Sequence, residues 1–314
     1  MITVSRARDI VLRGERGAED DAVLNASTYR ASPTRRPRRT KAEVGDLRET
    51  IYRLLAHDHP MTVRQVFYRL VSLGIIAKTE GEYKATVCRL LSEMRRAGDL
   101  PFGWIADNTR WMRKPQTYAG LEDLLRSTVE TYRRNLWDTQ GAYVEVWLEK
   151  DALAGVLYPE TERWDVPLMV TRGYPSLSFL HEAAVAIATV GRPVYLYYFG
   201  DHDPSGVDIP RKVERDLRAF APGAAIHFER VAVTPEQVAA WALPTRPTKQ
   251  TDSRSRGFAG ESVEVDAIEP ATLRRLAEVC IERHVDPGAL MRLQAVEREE
   301  RDTLAGFAAA WGVG

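Results

Sequence analysis

Three carboxylates stand where the chain leaves an apolar, strand-like run. Glu149 follows Val144-Glu145-Val146-Trp147-Leu148, and Asp201 and Asp203 follow the run from Pro193 to Phe199 after a single glycine, Gly200. In an open parallel sheet the carboxyl ends of the strands lie along one edge, and ligands bind there. Carboxylates far apart in sequence can therefore converge. A donor set of oxygens alone suits Mg²⁺, which takes one or two carboxylates and keeps positions for water and phosphate. Asp201 and Asp203 are two apart, so an extended backbone directs both to the same side. By itself Asp201-His202-Asp203-Pro204-Ser205-Gly206 reads equally well as a turn. An EF-hand reading fails, because Lys212 stands where that loop needs its bidentate glutamate and a strand precedes it in place of a helix. The joint occurrence with Glu149 is what points to a metal site.

A second candidate is Tyr68. Thr62 is placed to cap a helix running to about Leu73, and at ~100° per residue Val63, Val66, Phe67, Leu70 and Val71 share one face. Tyr68 is expected off that face, exposed, with Arg64 one turn earlier beside it. A phenol has a pKa near ~10 and needs a neighbouring cation or base to act as a nucleophile. Arg64 would supply the cation. Taken alone, the helix reads more readily as carrying an aromatic half-packed at a domain interface.

These residues need two kinds of scaffold. Residues 41–115 read as three short helices: Lys41 to Ala56, broken at His59-Pro60; the helix of Tyr68, ended by Gly74; and Tyr83 to Ala97, ended by Gly98. Leu100 to Ala106 reads as a β-wing, completing a winged helix-turn-helix. Leu121 to Leu136 reads as a connecting helix. Beyond it the texture becomes α/β. Strands are predicted at Ala142 to Leu148, Val166 to Val170, Pro193 to Phe199 and Ala225 to Val233, with helices at Ser176 to Val190 and about Asp208 to Phe220. That alternation implies a parallel sheet covered on both faces. A polar loop follows from Leu243 to Gly260, carrying Arg246, Lys249, Arg254 and Arg256, and then terminal helices at Pro270 to His284 and Pro287 to Phe307. The expected organisation is a basic arm (1–40), a winged helix domain (41–120), a connecting helix (121–140) and an α/β domain with C-terminal helices (141–314).

Charge follows this division. The chain has 314 residues with 44 basic and 44 acidic side chains, yet residues 1–140 hold 25 basic and 18 acidic. The positive excess sits in residues 30–114, with 18 basic and 9 acidic. Such a region suits the phosphate backbone of nucleic acid. Lys84, Arg89, Arg95 and Arg96 on the third helix, and Arg110 and Lys114 beside Trp111, are the candidate DNA contacts. The arm reads as solvated chain able to fold onto phosphates. Composition is that of a soluble globular protein, 44% hydrophobic and 28% charged. Cys88 and Cys280 cannot build a disulfide framework, no apolar run approaches a membrane span, and the N-terminus lacks a signal peptide's apolar stretch. A cytoplasmic protein is expected.

The strand-Glu then strand-Asp-x-Asp pattern resembles a Toprim domain. Asp201-His202-Asp203-Pro204-Ser205-Gly206-Val207-Asp208-Ile209 is similar to the version in topoisomerase VI A subunits and the related meiotic break-forming transesterases. Leu148-Glu149-Lys150 resembles their first motif, and Gly173-Tyr174-Pro175 the segment between. Thr62-x-Arg64-x-x-Phe67-Tyr68 resembles their winged-helix motif, with Gln65 where the family often has an acid. The resemblance spans roughly residues 60–285.

It implies an N-terminal winged helix followed by a Toprim domain with a Rossmann-like sheet. Glu149, Asp201 and Asp203 would hold one or two Mg²⁺, Glu149 or the metal would assist the chemistry, and Tyr68 would attack duplex DNA. It also implies a homodimer and, for strand passage, a separate ATPase subunit. Where this family commonly continues its Gly-x-Pro motif with Asp and a Thr-Arg pair, this chain has Ser176-Leu177-Ser178-Phe179. Two alternatives stand beside transesterification: a Toprim nuclease using metal-activated water, as in plasmid-defence systems, and a DNA-binding protein without catalysis.

Overall fold

The computed structural model describes residues 39–106, 115–247, 258 and 260–311. The chain divides into one unit up to Thr40 and a second from Lys41 onward. All described elements belong to the second.

Its centre is a four-stranded, all-parallel sheet. The strands are β1 (Tyr143–Leu148), β2 (Leu168–Val170), β3 (Val194–Phe199) and β4 (Ile226–Ala232), in the order β2-β1-β3-β4. Each strand falls within a run anticipated from its apolar, β-branched and aromatic content. Side-chain alternation divides the core into two layers. Val144, Val146, Leu148, Tyr197 and Phe199 pack on one face, against helices α5 (Ala154–Arg163) and α9 (Pro270–Glu282). Trp147, Val194, Leu196 and Tyr198 pack on the other, against α6 (Leu177–Thr189) and α7 (Pro204–Phe220). From β1 the chain crosses to β2 on one side and then to β3 on the other. The strand order therefore reverses between β1 and β3, which makes their carboxyl ends the natural binding crevice of such a sheet.

The N-terminal helices are α1 (Lys41–His57), α2 (Val63–Ser72) and a third that opens as a π turn, Glu82–Cys88, and continues as α3 (Arg89–Ala97). Gly98 closes it in the left-handed conformation, φ 83°, where a side chain would be strained. The segment expected to form a β-wing does not form a hairpin. Phe102–Trp104 is a single 3₁₀ turn, and Ile105 makes one parallel bridge to Met61. Two forces act on it. Pro101 has no N–H for a ladder, and Trp104 is drawn onto α1 and the turn after it, stacking on His59 at 4.9 Å and lying 5.6 Å from Tyr52.

The connecting helix α4 (Leu121–Thr131) ends five residues earlier than expected and lies against α10 (Pro287–Trp311). There Tyr132 donates to Glu300 at 2.6 Å and Arg134 pairs with Glu300 at 2.8 Å. Two helices were not anticipated: α5 and the short α8 (Pro235–Ala240). One continuous hydrophobic cluster runs from Leu47 and Tyr68 through β1 to Ile281, so no break in the core separates the N-terminal helices from the sheet. Among the described residues no helix is long and apolar enough to cross a membrane.

Candidate functional site

Glu149 leaves β1 and Asp201 leaves β3 at the reversal point. The sheet continues briefly past its strands: the Glu149 N–H donates to Phe199 O at 2.9 Å, and the Gly200 N–H to Ala232 O at 2.8 Å. This register sets the two acids side by side, and the Asp201 N–H donates to Glu149 Oε2 at 3.1 Å. Gly200 permits the approach. A Cβ there would collide with the Glu149 carboxylate and the Tyr198 ring. Gly206 does the same work one step on, since its Cβ would overlap the Asp201 carbonyl.

Asp203 ends the extended stretch as the N-cap of α7, its Oδ1 accepting from the Gly206 N–H at 2.8 Å. Beneath the carboxylates Arg230 of β4 donates to the Asp201 carbonyl at 2.7 Å. Burial, reinforced by the charge of Asp201, pushes the Glu149 carboxyl up to about 7. Burial also raises Asp201, against the pull of Lys150 and the Val265 N–H.

The segment after the polar loop supplies two further acids that sequence reasoning missed, Glu264 and Asp266. His202 pairs with Val263 through two backbone hydrogen bonds, His202 N–H to Val263 O at 2.8 Å and the reverse at 2.9 Å. Next to this bridge the Val265 N–H donates to Asp201 Oδ1 at 2.8 Å. Glu264 and Asp266 are buried beside the proposed metal carboxylates. Lys150 ties the two groups together, its Nζ lying 2.8 Å from Asp266, 3.1 Å from Asp201 and 3.3 Å from Glu264. Burial opposes its charge, but the three carboxylates outweigh burial and raise its pKa above the ordinary lysine value. The available signal was the alternation Val263-Glu264-Val265-Asp266, a period-two pattern just past a loop.

The same segment reaches α2. Arg64 Nε lies 3.4 Å from Glu264, and its guanidinium sits 4.2 Å over the Tyr83 ring. Tyr68 is not on an exposed face, as the helical wheel suggested; it is only 3% exposed. A wheel assumes that a helix has one core to face. Here α2 also meets Val265–Ala267, which covers its second side. Phe67 and Lys78 flank the Tyr68 ring, at 5.3 Å each. Burial first, then Glu264, raises the phenol far above its ordinary value, with Arg64 and Lys150 acting the other way.

Among the described residues no group of three or more His, Cys, Asp or Glu side chains stands converged to hold a metal ion. The donor chemistry nevertheless fits one. Glu149 Oε2, Asp201 Oδ1 and Asp203 Oδ1 carry the hydrogen bonds that set each side chain's position. Arg246 lies 3.6 Å from the second oxygen of Asp203, Oδ2.

Of the candidate DNA contacts, Lys84 and Arg89 are paired along their own helix, with Glu80 at 3.2 Å and Glu93 at 2.7 Å. Arg95 lies 5.7 Å from the exposed Phe102 ring, and Arg96 is exposed. Arg110, Lys114, Lys249, Arg254, Arg256 and the arm up to Arg38 lie outside the described residues. No family model matches the chain, and no curated protein matches it significantly.

Proposed function

We propose that this chain is a Mg²⁺-dependent DNA-cleaving enzyme of the kind its motifs resemble, type IIB topoisomerase A subunits, acting as a homodimer on duplex DNA. The observation that carries the reading is the meeting of Glu149 and Asp201 at the strand-order reversal, with Asp203 two residues on. Mg²⁺ bound by these three would stabilise charge on the phosphate and leaving oxygens. The chain's own groups do the rest. The Tyr68 oxygen attacks the phosphorus, and the bond to the 3′ oxygen breaks. The products are a 5′-phosphotyrosyl end and a 3′ hydroxyl. The phenolic proton passes to water and the departing 3′ oxygen is protonated from water, because a Glu149 that holds Mg²⁺ has no proton to carry. Arg64 lies beside the phenol and favours its anion. Arg95 and Arg96 grip the DNA backbone.

The enclosure of Tyr68 favours a second reading, hydrolysis by water at the same carboxylates. One experiment separates them. The full chain is incubated with duplex DNA and Mg²⁺, denatured, and assayed for protein-linked and free cleaved ends. Transesterification predicts protein-linked 5′ ends in wild type and none in Tyr68→Phe. Cleavage that survives Tyr68→Phe but not Asp201→Ala selects hydrolysis. Binding without Mg²⁺-dependent cleavage sinks both.

A further inference from the structure

The carboxylates of the site fall into two groups, and Asp201 belongs to both. Glu149 and Asp203 lie on one side, joined to the other by Arg246, whose guanidinium is 3.6 Å from Asp203 Oδ2 and 3.0 Å from Glu264 Oε1. On the other lie Glu264 and Asp266, whose oxygens are already taken. Asp266 Oδ1 accepts from the Thr62 hydroxyl at 3.1 Å and Oδ2 from Lys150 at 2.8 Å. Glu264 Oε1 pairs with Arg246 at 3.0 Å, and Oε2 with Lys150 at 3.3 Å and Arg64 at 3.4 Å. Asp201 Oδ1 faces this side too, held by Lys150 at 3.1 Å and the Val265 N–H at 2.8 Å. An ammonium has three N–H donors, and Lys150 has three carboxylate partners.

In two-metal phosphodiester sites a pair of cations about 3.5–4 Å apart clamps the reacting phosphate. Here Asp201 stands between Glu149, whose Oε2 accepts the Asp201 N–H at 3.1 Å, and a second acidic pair that already surrounds a cation. We infer that Lys150 is the built-in second cation of this site: its ammonium occupies the place of a second divalent ion, and the chain takes one Mg²⁺ on the side of Glu149, Asp203 and the outer oxygen of Asp201. Lys150 is thus a positioning residue. It fixes Asp201 Oδ1 and leaves Oδ2 to the metal. Dependence of cleavage on Mg²⁺ is then first order in the ion.

The inference rests on the metal reading, and ion counting tells the two apart without any activity. Mn²⁺ bound to the full chain is titrated by electron paramagnetic resonance. Wild type is expected to bind one ion, and Asp203→Asn to bind it at least about 10-fold more weakly, as loss of a metal ligand does. Lys150→Met is expected to bind a second ion at the vacated acids, and Lys150→Arg to stay at one.

Glu264→Gln, which keeps Lys150 in place, is expected to shift the affinity of the single ion by less than about 3-fold, well below the effect of losing a ligand. Two ions in wild type, one in a folded Lys150→Met, or a Glu264→Gln loss as large as that of Asp203→Asn overturns the role of Lys150 while the metal site stands. No ion in wild type overturns both. Should Lys150→Met fail to fold, the wild-type count and the Glu264→Gln affinity still decide.

Discussion

Thr62 donates its hydroxyl hydrogen to Asp266 Oδ1 at 3.1 Å, across 204 residues of sequence. The Thr62 hydroxyl oxygen accepts the Gln65 N–H at 3.0 Å, and Gln65 Oε1 accepts the Thr62 N–H at 2.9 Å, a complete capping box. The start of the tyrosine helix and the wall of the acidic site thus share one side chain. Thr62→Ala removes the cap and leaves a buried carboxylate oxygen short of a donor. A loss of about 2 kcal/mol is expected. Urea denaturation checks it, as a lowered midpoint at unchanged slope. Thr62→Ser restores most of the loss. An alanine variant with the wild-type midpoint shows that the tie carries no stability.

Glu149 gives the site a pH signature. Burial and Asp201 hold its pKa at about 7 in the fold, against an ordinary 4.5. Between those values the native chain keeps a proton that the unfolded chain has released, so stability falls as pH rises across that window. Glu145 adds to the same window. It is pushed to about 7 by burial, while the Trp147 indole N–H at 2.8 Å pulls the other way. Glu149→Gln and Glu145→Gln are each expected to flatten part of the decline between pH 5 and pH 8, seen in urea midpoints at the two pH values. Mg²⁺ must displace the Glu149 proton, so binding at pH 6 releases protons in wild type and fewer in Glu149→Gln. Calorimetry in buffers of different ionisation enthalpy measures that release.

Gly206 is expected to be the least replaceable glycine of the site. A Cβ there meets the Asp201 backbone carbonyl, which cannot swing aside as a side chain can. Gly206→Ala must push the first turn of α7 away from Asp201 and break the Asp203 cap. Overpacking of this kind costs about 1–3 kcal/mol. Gly223→Ala, with nothing near its added carbon, serves as the control and is expected to shift the urea midpoint far less. Equal midpoints for the two variants refute the close-approach argument.

The sheet was legible because each strand is a short apolar run bounded by breakers, and the meeting of Glu149 with Asp201 was legible because each stands just past the end of such a run. What escaped were features that depend on a second segment arriving from far away. Nothing in Val63 to Ser72 announces that Val265–Ala267 will cover its far side, so Tyr68 read as exposed and is buried. Glu264 and Asp266 follow no strand, and their place is set by the His202–Val263 bridge. The wing failed for a local reason that was present in the residues: Pro101 cannot join a ladder, and Trp104 has Tyr52 and His59 to pack on. The π turn Glu82–Cys88 has no sequence signal that we can identify.

The basic helix separates cations that are spent from cations that are available. Lys84 and Arg89 each face an acid four residues away, Glu80 and Glu93, and a phosphate would have to compete with that partner. Arg96 is exposed and Arg95 lies near the exposed Phe102, beside the end of α3. If this surface meets DNA, Arg95 and Arg96 contribute more than Lys84 and Arg89. Each phosphate contact adds about 0.9 to the slope of log affinity against log salt. Replacing Arg95 and Arg96 together by Ala is expected to lower that slope by nearly 2 and to weaken binding alike on unrelated duplexes. Replacing Lys84 and Arg89 together is expected to lower it by less than 1, since Glu80 and Glu93 are also released. Fluorescence anisotropy between 50 and 200 mM salt, the range over which such contacts change affinity by orders of magnitude, measures both slopes. Equal losses in the two pairs mean that the helical ion pairs do not hold their cations back. No loss in either moves the DNA surface away from α3.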